Sequence, residues 1–94
     1  MLLKPGVDIT HLARPLRRAL QKIDVMYPDF VITSTRHDSH GASSLHYADQ
    51  AIDIRLTAWG GKVISVEALR RILGDDFDVV GERTHIHVEF DPKP

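Results

Sequence analysis

Two stretches of the chain carry residues that could do chemistry together. Residues 44–53 read S-L-H-Y-A-D-Q-A-I-D, and residues 85–90 read H-I-H-V-E-F. Between them they offer histidines and an aspartate in a chain with no cysteine, so a metal held here would sit on nitrogen and oxygen donors. Zinc with three ligands of the His, Asp or Glu type keeps its fourth position for water, whereas structural zinc is normally closed by four ligands rich in cysteine. The chemistry that this residue set points to is hydrolysis.

Strand alternation explains how such residues could meet. If Ile86, Val88 and Phe90 face a core, His85, His87 and Glu89 face away from it, and Asp53 turns outward when Ile52 and Ile54 turn inward. Were the two strands in one sheet, Asp53 and the histidine pair would share a surface at the spacing of about 5 Å between neighbouring strands. His46, at the end of the loop leading into the Asp53 strand, is placed to swing over that surface. A lone H-x-H is ordinarily no more than the wet side of a half-exposed strand. His46 and Asp53 are what lift this one above that reading, whereas His37 and His40 read as loop residues and His11 as a surface or capping residue.

The positioning elements follow from periodicity. Leu12, Leu16, Leu20 and Ile23 draw one helical stripe over residues 12–27, with Arg17, Arg18, Gln21 and Lys22 on the wet side. Pro15 fits the first turn, and Pro28 stops the helix. Residues 30–34, F-V-I-T-S, read as a strand; the polar residues 36–44 read as a long loop, of the kind in which function often sits. A strand is expected over residues 51–56, where Ile52, Ile54 and Leu56 alternate with Asp53 and Arg55. Gly60 and Gly61 mark a turn, Ser65 an N-cap, and Leu69, Ile72 and Leu73 the buried face of a short helix ended by Gly74. Residues 77–80 and 85–90 complete the set as strands joined by a tight turn. The fold expected is α+β, an antiparallel sheet of about four strands with both helices on one face and the zinc site on the other.

At 94 residues the chain is expected to form a single domain, 1–94, near the lower size limit for a core without disulfides. Its 12 basic residues nearly cancel its 13 acidic ones, which gives no reason to expect a nucleic-acid or anionic-membrane partner. The N-terminus meets a lysine and a proline after two leucines and reads as lacking an export signal, so cytoplasmic synthesis is expected. The H-E-x-x-H zinc motif, the G-x-S-x-G serine motif and the phosphate loop are all absent.

Taken together, the residues resemble the LAS-type zinc peptidases, which include D-alanyl-D-alanine carboxypeptidases, D,D-dipeptidases and phage L-alanyl-D-glutamate endopeptidases, with the hedgehog signalling domain as a relative. Their pattern is S-x-H-x-x-G-x-A-x-D followed much later by H-x-H. Ser44, His46, Ala51 and Asp53 match the first part in register, and His85 and His87 match the second. The resemblance implies that His46, Asp53 and His87 hold zinc, that His85 stabilises the transition state or orients the substrate, and that Arg36 lies near the substrate carbonyl or carboxylate. It also implies metal-assisted hydrolysis of amide bonds in peptidoglycan peptides, by a D,D-carboxypeptidase or L,D-endopeptidase of phage or prophage origin that acts at the bacterial cell wall with lysis partners or in a virion.

Two positions depart from the pattern. Asp49 stands where the family has glycine, and Thr84 stands three residues before the final histidine, where the family has the acid that serves as general base. Glu82, two residues further upstream, is the expected substitute, and Glu89 a weaker one. An alternative is a zinc-bound structural or binding module that has kept the ligands and lost the base, the metal then adding stability to a small core.

Overall fold

The computed structural model describes residues 1–35 and 50–92, arranged as two helices and a five-stranded sheet. In chain order these are β1 (Leu2–Leu3), α1 (Arg14–Met26), β2 (Val31–Ser34), β3 (Ala51–Arg55), α2 (Val66–Leu73), β4 (Phe77–Gly81) and β5 (His85–Phe90). The sheet order is β1-β2-β3-β5-β4. β2, β3, β5 and β4 pair antiparallel, and β1 lies parallel to β2. The sheet is therefore mixed, with one strand more than the antiparallel four expected. β1 is two residues long, too short for alternation to reveal, and is held by bonds from the Leu2 amide to the Phe30 carbonyl (2.8 Å) and from the Lys4 amide to the Ile32 carbonyl (2.9 Å).

The helices form where the apolar spacing places them. α1 buries Leu16, Ala19, Leu20 and Ile23 and carries a proline in its first turn; Leu12 and Tyr27 are buried just outside its ends. α2 is capped by the Ser65 hydroxyl, which accepts from the Ala68 amide at 3.1 Å, and the chain leaves it through Gly74 at φ 85°. Leu69 and Leu73 are buried and Ile72 packs half-buried against the same core. Tyr27 links the two helices, its hydroxyl accepting from the Ser65 amide at 3.1 Å.

Both helices share one hydrophobic cluster with Phe30, Ile32, Ile52, Ile54, Val79, Ile86 and Val88, so they cover the same sheet face. Arg70 fastens α2 to the sheet edge, donating from two guanidinium nitrogens to the Val79 carbonyl at 3.1 and 2.9 Å. β3 ends at Arg55, one residue early, and Leu56 is exposed instead of joining Ile52 and Ile54. The reason is the turn that follows: Ile64 bonds the Leu56 carbonyl, and Gly60 and Gly61 reverse the chain with φ of 97° and 92°. Among the described residues no helix is long and apolar enough to cross a membrane.

Candidate functional site

The face opposite the helices carries the charged residues in rows set by strand register. On β3 and β5, Arg55 stands beside His85, Asp53 beside His87, and Ala51 beside Glu89. β4 adds Val80 next to His87 and Asp78 next to Glu89. The hairpin continues one bond further, from the Glu82 amide to the His85 carbonyl at 2.8 Å, which sets Glu82 across from His85.

On the other side of β3 the register shifts. Ile32 pairs with Ile54 but Ser34 pairs with Asp53, so β2 bulges at the aspartate, and the Thr33 hydroxyl donates to the Asp53 carbonyl at 3.3 Å. Bulges of this kind re-aim side chains and recur beside active sites.

Asp53 is the one charged residue buried among the described residues, 8% exposed. A buried carboxylate is costly unless a partner compensates for its lost hydration. The partner is His87, whose Nδ1 lies 2.8 Å from Asp53 Oδ1 while Nε2 lies 3.0 Å from Glu89 Oε1. The hydrogen bond to Asp53 is the main cause that pushes the imidazole up to about 9; burial opposes it and the bond to Glu89 adds to it. At neutral pH His87 is thus an imidazolium donating from both nitrogens, clasped between two carboxylates.

His85 completes the cluster at a longer reach, with Nε2 3.8 Å from Asp53 Oδ1. Its other nitrogen, Nδ1, is hydrogen-bonded to the Thr84 hydroxyl at 3.1 Å. Thr84 fixes the ring so that Nε2 points at the aspartate. His87 and Glu89 also border a groove of about 660 Å³ that runs towards Asp75 and Asp78 at the β4 edge.

No protein-family model matches the chain, and no curated protein or solved structure does either.

The site residues expected from sequence fall into three groups. Asp53, His85 and His87 come together on one face. Glu82 lies exposed in the hairpin, in the row of His85. Arg36 and His46, like His37, His40, Ser44 and Asp49, lie outside the described residues.

Among the described residues no group of three or more histidine, aspartate or glutamate side chains is disposed to hold a metal ion. Asp53 and His87 instead turn Oδ1 and Nδ1 towards each other in a hydrogen bond. Donors in a tetrahedral zinc site stand about 3.3 Å apart, given bonds of about 2.0–2.1 Å. An imidazole and a carboxylate on neighbouring strands match two positions of such a site in donor chemistry, while their 2.8 Å separation is that of a hydrogen bond and shorter than this donor spacing.

Two residues named from the sequence make contacts that the sequence did not reveal. Glu89 contacts His87 directly, although alternation alone ranks it only as a residue on the same face. Thr84 orients His85, a role invisible when its position is judged only for what a threonine cannot do as a base.

Proposed function

We propose that this chain is a zinc-dependent peptidase that hydrolyses amide bonds in bacterial cell-wall peptides, of the LAS type that its two motifs resemble and of phage or prophage origin. The observation that carries this reading is the register pairing of Asp53 with His87: two ligand-type residues 34 positions apart in sequence meet at 2.8 Å around a buried carboxylate. In this reading His46, Asp53 and His87 hold the zinc. When bound, zinc supplies a Lewis acid for the scissile carbonyl and lowers the pKa of its water to about 7.

The chain's own side chains do the rest. His85, oriented by Thr84, presents Nε2 beside Asp53 and donates to the oxygen on which charge develops. Arg36 binds the substrate carbonyl or carboxylate, where a guanidinium offers a fixed fork of donors. The proton shuttle falls to a carboxylate on the same face: Glu82, across the hairpin from His85, or Glu89, already at His87.

Metal content per chain, measured by elemental mass spectrometry on protein purified without added metal, tests the site. About one zinc in the unaltered chain and none in His87→Ala is the expected result; no metal in either, with both folded, sinks the reading. Release of peptides from purified peptidoglycan then tests the activity, with Glu82→Gln and Glu89→Gln compared. A drop of at least about a hundredfold in one of them identifies the base.

The tie between Thr84 and His85 favours a second reading, a zinc-bound module without turnover, because the position that should carry the base instead holds a histidine in place. Zinc bound at one per chain with peptidoglycan left intact decides for it.

A further inference from the structure

The outer face has a second concavity that the proposed chemistry does not use. It lies over Val31, which the pairing of Ile32 with Ile54 sets beside Arg55, while Leu2 pairs with Val31 from the other side. Leu2, Lys4, Asp29, Arg55 and Trp59 are among the residues that line it, and its volume is about 460 Å³. That is within the range of about 300–1,000 Å³ common to small-ligand sites.

Trp59 is the single tryptophan of the chain and is 70% exposed. Its loop is nevertheless firmly tied, by bonds from the Trp59 amide to the Asp29 carbonyl (2.8 Å) and from the Gly61 amide to the Ala58 carbonyl (2.9 Å). A scattered exposed apolar residue is ordinary. A large aromatic on a pinned turn, over an apolar floor and next to two cations, is the composition of a site for a carboxylate carried on an apolar stem. Lys4 and Arg55 outweigh Asp29 there, so the cleft favours an anion.

The cleft adjoins the Asp53 row. Arg55 is two residues along β3 from Asp53 on the same face, about 6.6 Å at about 3.3 Å per residue. That is close to the repeat of an extended peptide.

We propose that this cleft receives the carboxylate-bearing flank of a short acidic peptide, the carboxylate on Arg55 and Lys4 and the apolar part against Trp59 and Val31. The peptide's course across Asp53 and His87 rests on the function proposed above; the cleft's preference for a carboxylate does not.

Trp59 reports on the cleft directly, so the test is a fluorescence titration of the whole chain with N-acetyl-L-alanyl-D-glutamate, set against the same peptide with both carboxylates amidated. The expected result is a saturable change in emission with the acid, about tenfold weaker for the diamide and about tenfold weaker for Arg55→Gln. Lys4→Gln, at an exposed position, serves as a second variant and should weaken binding in the same direction. Equal affinity for acid and diamide, no saturable change, or an equal response to sodium acetate overturns the proposal. The titration repeated on metal-free His87→Ala separates the two readings: retained binding there, with no zinc in the unaltered chain, leaves the cleft standing and removes the peptidase.

Discussion

β3 and β5 present two faces offset by a single residue. On one stand Ile52, Ile54, Ile86 and Val88, all fully buried; on the other stand Asp53, His85, His87 and Glu89, which hold one another by hydrogen bonds and charge. The inner face needs apolar shape of about the right size and sets where the strands lie to within the tolerance of close packing. The outer face needs particular atoms at particular distances, and it inherits those distances from the inner one. A site of this kind is therefore exposed to two different failures, loss of its frame and loss of its contacts, and substitutions one residue apart should separate them.

The largest effect on stability should come from the frame. Ile86→Ala removes a fully buried side chain from the centre of the cluster and is expected to cost about 3–4 kcal/mol in urea unfolding. A loss below about 1 kcal/mol would show that the inner face is looser than its burial indicates.

The outer face should show itself through pH. His87 in the metal-free protein has its pKa raised from 6.5 to about 9. The folded state thus holds the proton more tightly than the unfolded one. Its stabilising contribution is complete below about pH 6.5 and is lost as pH rises through about 9. With allowance for screening at a side chain 29% exposed, the loss should be about 2 kcal/mol. Asp53→Asn should flatten this part of the stability profile; an unchanged slope would separate His87 from Asp53 in solution.

Smaller effects sharpen the contrast. Ser65→Ala deletes the α2 cap and should cost about 1 kcal/mol without altering the pH profile, since the cap belongs to the helix layer. Glu82→Gln, at an exposed hairpin position, should move unfolding by less than about 0.5 kcal/mol. A large destabilisation there would give Glu82 a structural role and weaken it as a candidate base.

The same two faces explain what the sequence made legible. Alternation in H-I-H-V-E-F located β5 to the residue and put His85, His87 and Glu89 together, because period-2 patterning needs only one apolar face to reveal it. Periodicity likewise found both helices, the Ser65 cap and the Gly74 exit. β1 escaped because two residues contain no period, and its parallel pairing depends on a partner 29 positions away. The bulge beside Asp53 escaped as well, since T-S-T reads as ordinary strand chemistry and the register shift arises only once β3 lies alongside. The partnership of Asp53 with His87 was expected as a shared face. Its 2.8 Å contact depends on the strand order β3-β5, which patterning within one strand does not encode.

The hold of Arg70 on the Val79 carbonyl has a further consequence, for how this protein meets copies of itself. A sheet recruits another strand where its outermost backbone groups are unpaired, and that recruitment is the route to aggregation. At the β4 edge the Val79 carbonyl is already taken by two guanidinium N–H groups, and the Phe77 amide is taken by the Gly74 carbonyl at 3.3 Å. An incoming strand would have to displace a cation from the oxygen it needs. The helix that helps to bury one face of the sheet thereby also occupies part of its margin, and edge-to-edge growth at β4 meets a guanidinium already seated on the Val79 carbonyl.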